Sequence, residues 1–130
     1  MIKATFALMP LVALTLCAGD ETVSGYANTD ATYHLIEIGG AAPAAPSTIS
    51  FPAEGRVTGQ APCNTYTAIQ TRPYPWFNID AIRSTRRACP DLSAEQRFFG
   101  TLQTMTLAEV TDAVLILSNE NGAQLVFEAR

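Results

Sequence analysis

The chain is short of charge, lysine, histidine and closely paired cysteines, and each shortage removes a class of function. Charged residues make up 15% of its 130 positions, Lys3 is the single lysine and His34 the single histidine. His34 has no nucleophile or carboxylate partner in a recognisable motif, and Ser84 lies in no nucleophile elbow, so no catalytic constellation is visible. No two cysteines stand in Cys-x-x-Cys spacing, and a zinc site built on them and His34 would lack a fourth ligand. Gly39-Gly40 is followed by no helix that would make a phosphate loop. There is no internal repeat and no hydrophobic run long enough to span a bilayer comfortably. The expectation is a protein without cofactor or metal, and no enzyme. An active site assembled from residues distant in sequence ranks third, behind two binding roles.

What the chain does contain begins with an export leader. Lys3 precedes an apolar stretch from Ala4 to Leu16, broken only by Thr5, Pro10 and Thr15, the form of a positive n-region followed by a hydrophobic region. Leu14-Thr15-Leu16-Cys17 resembles a lipobox, which would make Cys17 the lipidated first residue of the mature protein. Leu16 departs from the small residue usual before that cysteine, and cleavage after Ala18 is the competing route. Cysteine arithmetic favours lipidation, because it leaves Cys63 and Cys89 as an even pair. Without residues 1–17 the chain carries seven arginines against twelve acidic residues, a formal net charge of −5. Such a body is repelled by nucleic acid and little drawn to anionic lipid, so membrane attachment must come from the acyl chains. An outer-membrane lipoprotein facing the periplasm is expected, with a soluble periplasmic or secreted protein as the alternative.

The length leaves room for one domain. Residues 18–30 are polar and turn-rich and are taken as a flexible tether, with the domain over 31–130. Expected strands are Tyr33 to Ile38, Thr48 to Phe51 hairpinned to Arg56 to Gly59, Thr65 to Ile69, Trp76 to Ile82, and a closing hairpin of Val114 to Leu117 with Leu125 to Phe127. The four apolar residues of Val114 to Leu117 suggest burial on both faces. One segment has a helical period: Ser93 to Met105 sets Phe98, Leu102 and Met105 at i, i+4 and i+7, behind a Ser93–Gln96 capping-box spacing. The fold class is therefore α+β, mostly antiparallel sheet, barrel-like or sandwich-like, with one helix late in the chain.

Few residues invite a chemical reading. Cys63 and Cys89 would close a loop of about 25 residues, for which chain entropy gives roughly 3 kcal/mol; free buried thiols or metal and redox chemistry are the alternatives. Asn64 can hold a turn or bond across to another strand, and Thr85 and Ser84 can do similar work. Glu95 stands in the first helical turn, suited to the dipole there and within reach of Arg86 or Arg87. Arg83, Arg86 and Arg87 are the one local concentration of positive charge, a patch for carboxylate or phosphate or else a solvated cluster.

Taken together, Gly59…Cys63-Asn64, Ser84-Thr85…Cys89, Glu95 and the final hairpin occur in the order and spacing of the META domain family, that of the heat-shock protein HslJ. From Tyr33 to Phe127 the chain resembles that family. It departs in Pro62, where glycine is frequent, and in Tyr33, where tryptophan is common. The resemblance implies a compact antiparallel α+β domain in exported or lipid-anchored bacterial proteins linked to stress or drug tolerance, with no established activity or cofactor. It supports an envelope protein that binds an unknown protein or small ligand. A secreted inhibitor or ligand-binding module using the arginines, or an exposed loop such as Thr71 to Pro75, is the second role.

Overall fold

The computed structural model describes residues 3–5, 7–10 and 19–130; Cys17 and the rest of the leader lie outside them. Eight strands form two antiparallel sheets. They are β1 (Tyr33–Ile38), β2 (Thr48–Ile49), β3 (Arg56–Gln60), β4 (Thr65–Ile69), β5 (Asp80–Ser84), β6 (Leu107–Thr111), β7 (Val114–Ser118) and β8 (Gln124–Ala129), with helix α1 (Leu92–Leu102) between β5 and β6. The larger sheet runs β2-β1-β8-β7-β6 and the smaller β3-β4-β5. They meet at a bridge between Ser50, just past β2, and Thr58 in the middle of β3, and Trp76 bridges to Leu107 at the start of β6. The sheets do not close into one barrel, and the architecture is α+β as the sequence indicates.

Alternation explains which faces meet. In β4, Tyr66 and Ala68 are buried while Thr65, Thr67 and Ile69 are exposed, the period of a strand with one dry face. Tyr33, Leu35, Leu115, Leu117, Leu125 and Phe127 do the same for the larger sheet. Helix α1 adds Phe98 and Leu102, and Met105 follows in the turn beyond it. Tyr66 meets the rings of Phe98 and Phe99 edge-on at 5.9 and 5.3 Å, so the phenylalanine pair anchors helix to sheet.

Several boundaries move. The segment 48–51 makes the expected hairpin contact with β3, where Ser50 and Thr58 exchange backbone hydrogen bonds, and also pairs on its other edge with β1, where Tyr33 faces Ile49 and His34 faces Thr48. The strand expected from Trp76 starts at Asp80; before it, Phe77 and Ile79 bury their side chains from an irregular path. Strand β6, Leu107–Thr111, was not expected. In β7, Leu115 and Leu117 are buried and Val114 and Ile116 only half-buried, so that strand is one-sided. The Ser93–Gln96 capping box does not form; the helix opens one residue earlier from Asp91, whose side chain makes no cap bond.

The expected tether is the largest correction. Val23 is 1% exposed and joins the core, and Tyr26 stacks on Tyr74 with ring centroids 4.1 Å apart. A short 3-10 turn, Val23–Gly25, is tied by Asp20, which accepts hydrogen bonds from the Thr22 N–H and hydroxyl and from the Ser24 hydroxyl. The Tyr74 N–H donates to Glu21 O at 2.7 Å. One valine and one tyrosine in a polar run are enough to dock it, because each finds an apolar surface already built by the rest of the fold.

Candidate functional site

Two regions bring the singled-out residues together, and they differ in kind. The first is a buried knot. Asn64 is 6% exposed and sits at the end of the loop from β3 to β4. Its Nδ2 donates to Glu95 Oε2 at 2.7 Å and to Arg87 O at 3.1 Å. Its Oδ1 accepts from Thr85 Oγ1 at 2.9 Å and the Arg87 N–H at 2.6 Å. Both amide hydrogens and both carbonyl lone pairs are thereby used. Glu95, 4% exposed, also accepts from the Cys63 and Asn64 N–H groups at 3.1 and 2.9 Å. Its expected pairing with Arg86 or Arg87 is not made: Arg87 enters through its main chain, and the guanidinium is replaced by neutral donors from the 63–64 turn.

The disulfide closes the same knot. Cys63 and Cys89 are bonded, with Cα atoms 5.6 Å apart. The bond joins the β3–β4 turn to the segment leading into α1; Asn64, next to Cys63, ties the same turn to Arg87 in that segment and to Glu95 in the first turn of the helix. Gly59 is fixed by packing as well. A Cβ there would collide with the Thr48 carbonyl and come within 2.7 Å of the Tyr66 ring. That ring passes beneath β3 so that its hydroxyl can donate to Thr48 O at 2.7 Å. Burial pushes the Tyr66 phenol up, keeping it a neutral donor. The Gly…Cys-Asn, Thr…Cys and Glu pieces of the sequence are thus one hydrogen-bonded device.

The second region is open. Where the two sheets meet, their outer faces form a groove of about 910 Å³, with the hydroxyls of Thr58 and Thr67 on its floor and His34, Arg83 and Arg130 on its sides. A smaller hollow of about 300 Å³ continues it past Thr65 and Thr85 to the disulfide and Arg87. No acidic residue lines either hollow. The arginine cluster is therefore split. Arg83 faces the groove and Arg87 the hollow, while Arg86 is exposed and lines neither. His34 lines the groove with Glu128 its cross-strand neighbour on β8, outside the lining. Among the described residues no cluster of His, Cys, Asp or Glu could hold a metal ion.

Sequence reasoning missed Arg130 and the threonines of the groove. Their signal was present as alternate polar positions in β3 and β4, but which strands adjoin is a matter of topology. The loop from Thr71 to Pro75 has its own buried support: Gln70 is 1% exposed, donates to Arg72 O, and accepts from the Arg72 and Asn78 N–H groups.

Comparison with known proteins agrees with this geometry. The sequence profile described as META domain matches residues 27–130. A protein from Burkholderia xenovorans solved by NMR superposes with a TM-score of 0.62 at 20% identity, over 78% of this chain and 82% of that one. A second NMR structure gives 0.59 at 17% identity, over 77% and 89%. A crystal structure of a DUF4847 family protein from Bacteroides vulgatus gives 0.53 at 21% identity, over 64% and 57%. These likenesses are of fold. No curated protein matches the sequence.

Proposed function

From a chain that belongs to the META domain family, we propose an exported, lipid-anchored envelope protein that works by binding, not catalysis. The observation that carries the reading is the use of the family's motif residues. Asn64, Thr85 and Glu95 spend their polar atoms on one another and on the main chain, and Cys63 and Cys89 on their mutual bond. Asn64 and Glu95, so occupied and buried, are closed to a substrate, and Thr85 keeps only acceptor lone pairs toward the groove. What faces solvent is a groove that can accept a ligand. The disulfide is supported by, and supports, folding in an oxidising compartment outside the cytoplasm.

Acylation of Cys17 is the proposed attachment, with the periplasmic face of the outer membrane as destination, since Ala18 gives no inner-membrane retention signal of the Asp type. The role is envelope stress or drug tolerance through a bound partner. The test is fractionation with mass spectrometry. Wild type should be found in membranes carrying acyl mass, held by about 0.8 kcal/mol per buried methylene, and Cys17→Ser should move to the soluble fraction. A mature wild-type mass with no acyl groups would refute the anchor.

The second reading, a soluble secreted module acting through Arg83, Arg86 and Arg87, is favoured by one observation only: all three are exposed. Their division between groove, hollow and open surface argues against one shared patch.

A further inference from the structure

The groove has an order that its lining residues do not show one by one. Arg83 on β5 faces Thr67 on β4, and Thr67 faces Thr58 on β3. Thr58 bridges to Ser50, and continuing the β1–β2 register by one residue sets Ser50 opposite Thr32. The Arg130 N–H donates to Thr32 O at 3.1 Å. A single transverse row therefore crosses from the small sheet to the large one, and all six residues line the groove. It has a guanidinium at each end and four hydroxyls between. At about 4.8 Å per strand the row measures roughly 24 Å along its curved floor.

We infer that this groove binds an acidic oligosaccharide: a ligand with hydroxyls along its length and carboxylate or phosphate groups toward both ends. Each threonine or serine hydroxyl can donate and accept at once, as a sugar hydroxyl does, so the floor can bond to rings in several registers. Guanidinium forks match the planar carboxylate and the phosphate. On a body with net charge −5, acidic side chains would be expected along any long groove, yet none lines this one or the hollow beyond it. Glu128, the register partner of His34 on the same sheet face, stands just outside the lining, so the longest stretch free of acids runs from Arg83 to Thr32. Threonine alone is ordinary on a solvated strand; threonine bracketed by arginines with acids excluded is a selective surface. The groove volume lies in the range of small-molecule sites.

The inference rests on the binding role proposed above but not on lipidation, so it can be tested on residues 19–130. Among the described residues every buried side chain lies between Thr22 and Phe127. Amide shifts and calorimetry would follow titration with pentagalacturonate, a pentasaccharide bearing a phosphate at each end, neutral maltopentaose and a hepta-glutamate peptide, each long enough to reach from Arg83 toward Arg130. Pentagalacturonate or the bisphosphorylated sugar should bind and shift amides of β3, β4 and β5, and the stronger of the two identifies the anion. Affinity should fall as salt rises. Arg83→Ala and Arg130→Ala should each weaken binding about 5- to 10-fold, the size of one hydrogen-bonded contact that stays partly in water. Arg86→Ala should leave it unchanged. Equal binding of maltopentaose, equal or tighter binding of the peptide, no groove shifts with either acidic sugar, or full affinity in both arginine variants would overturn the inference. A failed titration beside an intact anchor would remove the ligand class, whereas Cys17→Ser tests the anchor separately.

Discussion

The knot around Asn64 and the groove beside it share Thr85 at their border and nothing else in character. In the knot, Asn64 and Glu95 are buried, their side-chain polar atoms all have partners, and two distant pieces of chain are held by a covalent bond and a carboxylate. In the groove, side chains stand in water with hydroxyls and guanidinium groups unspent on one another. The knot supplies the pattern by which the family is recognised; the groove supplies surface for a ligand. The residues that identify this protein and the residues proposed to act for it are thus different sets. A motif can persist for what it builds, and its presence then says little about what the building holds.

That contrast can be broken most sharply at Asn64. Asn64→Asp replaces the Nδ2 donor with a second carboxylate 2.7 Å from Glu95 Oε2. It leaves Arg87 O without its donor and forces one acid to stay protonated. Loss of hydrogen bonds to a buried charge and like-charge repulsion together should cost about 3–5 kcal/mol in chemical denaturation. A loss below about 1 kcal/mol would mean that the network is loose and that Asn64 is free to serve a ligand.

Cutting the covalent half of the knot should have the next effect. The bond spans 26 residues of sequence, and Cys63→Ser with Cys89→Ser should lower stability by roughly 2–4 kcal/mol. Sugar binding should decline only as far as unfolding does, because the groove is built by strands the bond does not cross. Full stability in reducing buffer would show that Asn64 and Glu95 suffice alone.

The smallest effect sharpens the comparison at the chain's start. Burial disfavours charge on Asp20, but the hydrogen bonds from Ser24 and Thr22 outweigh it and hold the carboxyl below its ordinary value of 3.8. A depressed folded value means the contribution is complete above about pH 4 and disappears as pH falls through that lower value. Asp20→Ala should flatten acid denaturation below pH 4 and leave neutral stability within about 1 kcal/mol, as for a partly exposed cap. An unchanged acid profile would return residues 20–30 to the status of a tether.

Much of this molecule is legible in its sequence. Strand β1 falls at its expected residues, because alternation with a buried tyrosine and leucine leaves one register. Helix α1 is marked by the spacing of Phe98 and Leu102, and the Cys63–Cys89 bond by two cysteines in a chain whose first residues have the form of an export leader. Strand β6 was not legible: Leu107-Ala-Glu-Val-Thr has a weak alternation, and its pairing with β7 supplies what propensity does not. Glu95 was seen as a helix-dipole residue because its partners, the amides at 63 and 64, are 31 to 32 residues away. The groove was invisible for the same reason. Arg83 lies on β5 of the small sheet and Arg130 just past β8 of the large one; the hairpin that brings Ser50 to Thr58 is legible, but no local pattern announces that it joins the two sheets.

The docked turn from Asp20 to Tyr26 has a mechanical consequence. Only Ala18 and Gly19 separate Cys17 from the first tied residue, and three extended peptide steps reach at most about 10 Å. With the proposed acylation there is no leash on which the body could swing. One side, that of the Tyr26–Tyr74 stack, would ride at the lipid surface. The domain would then sample few orientations, and any partner would have to come down to the membrane to meet it.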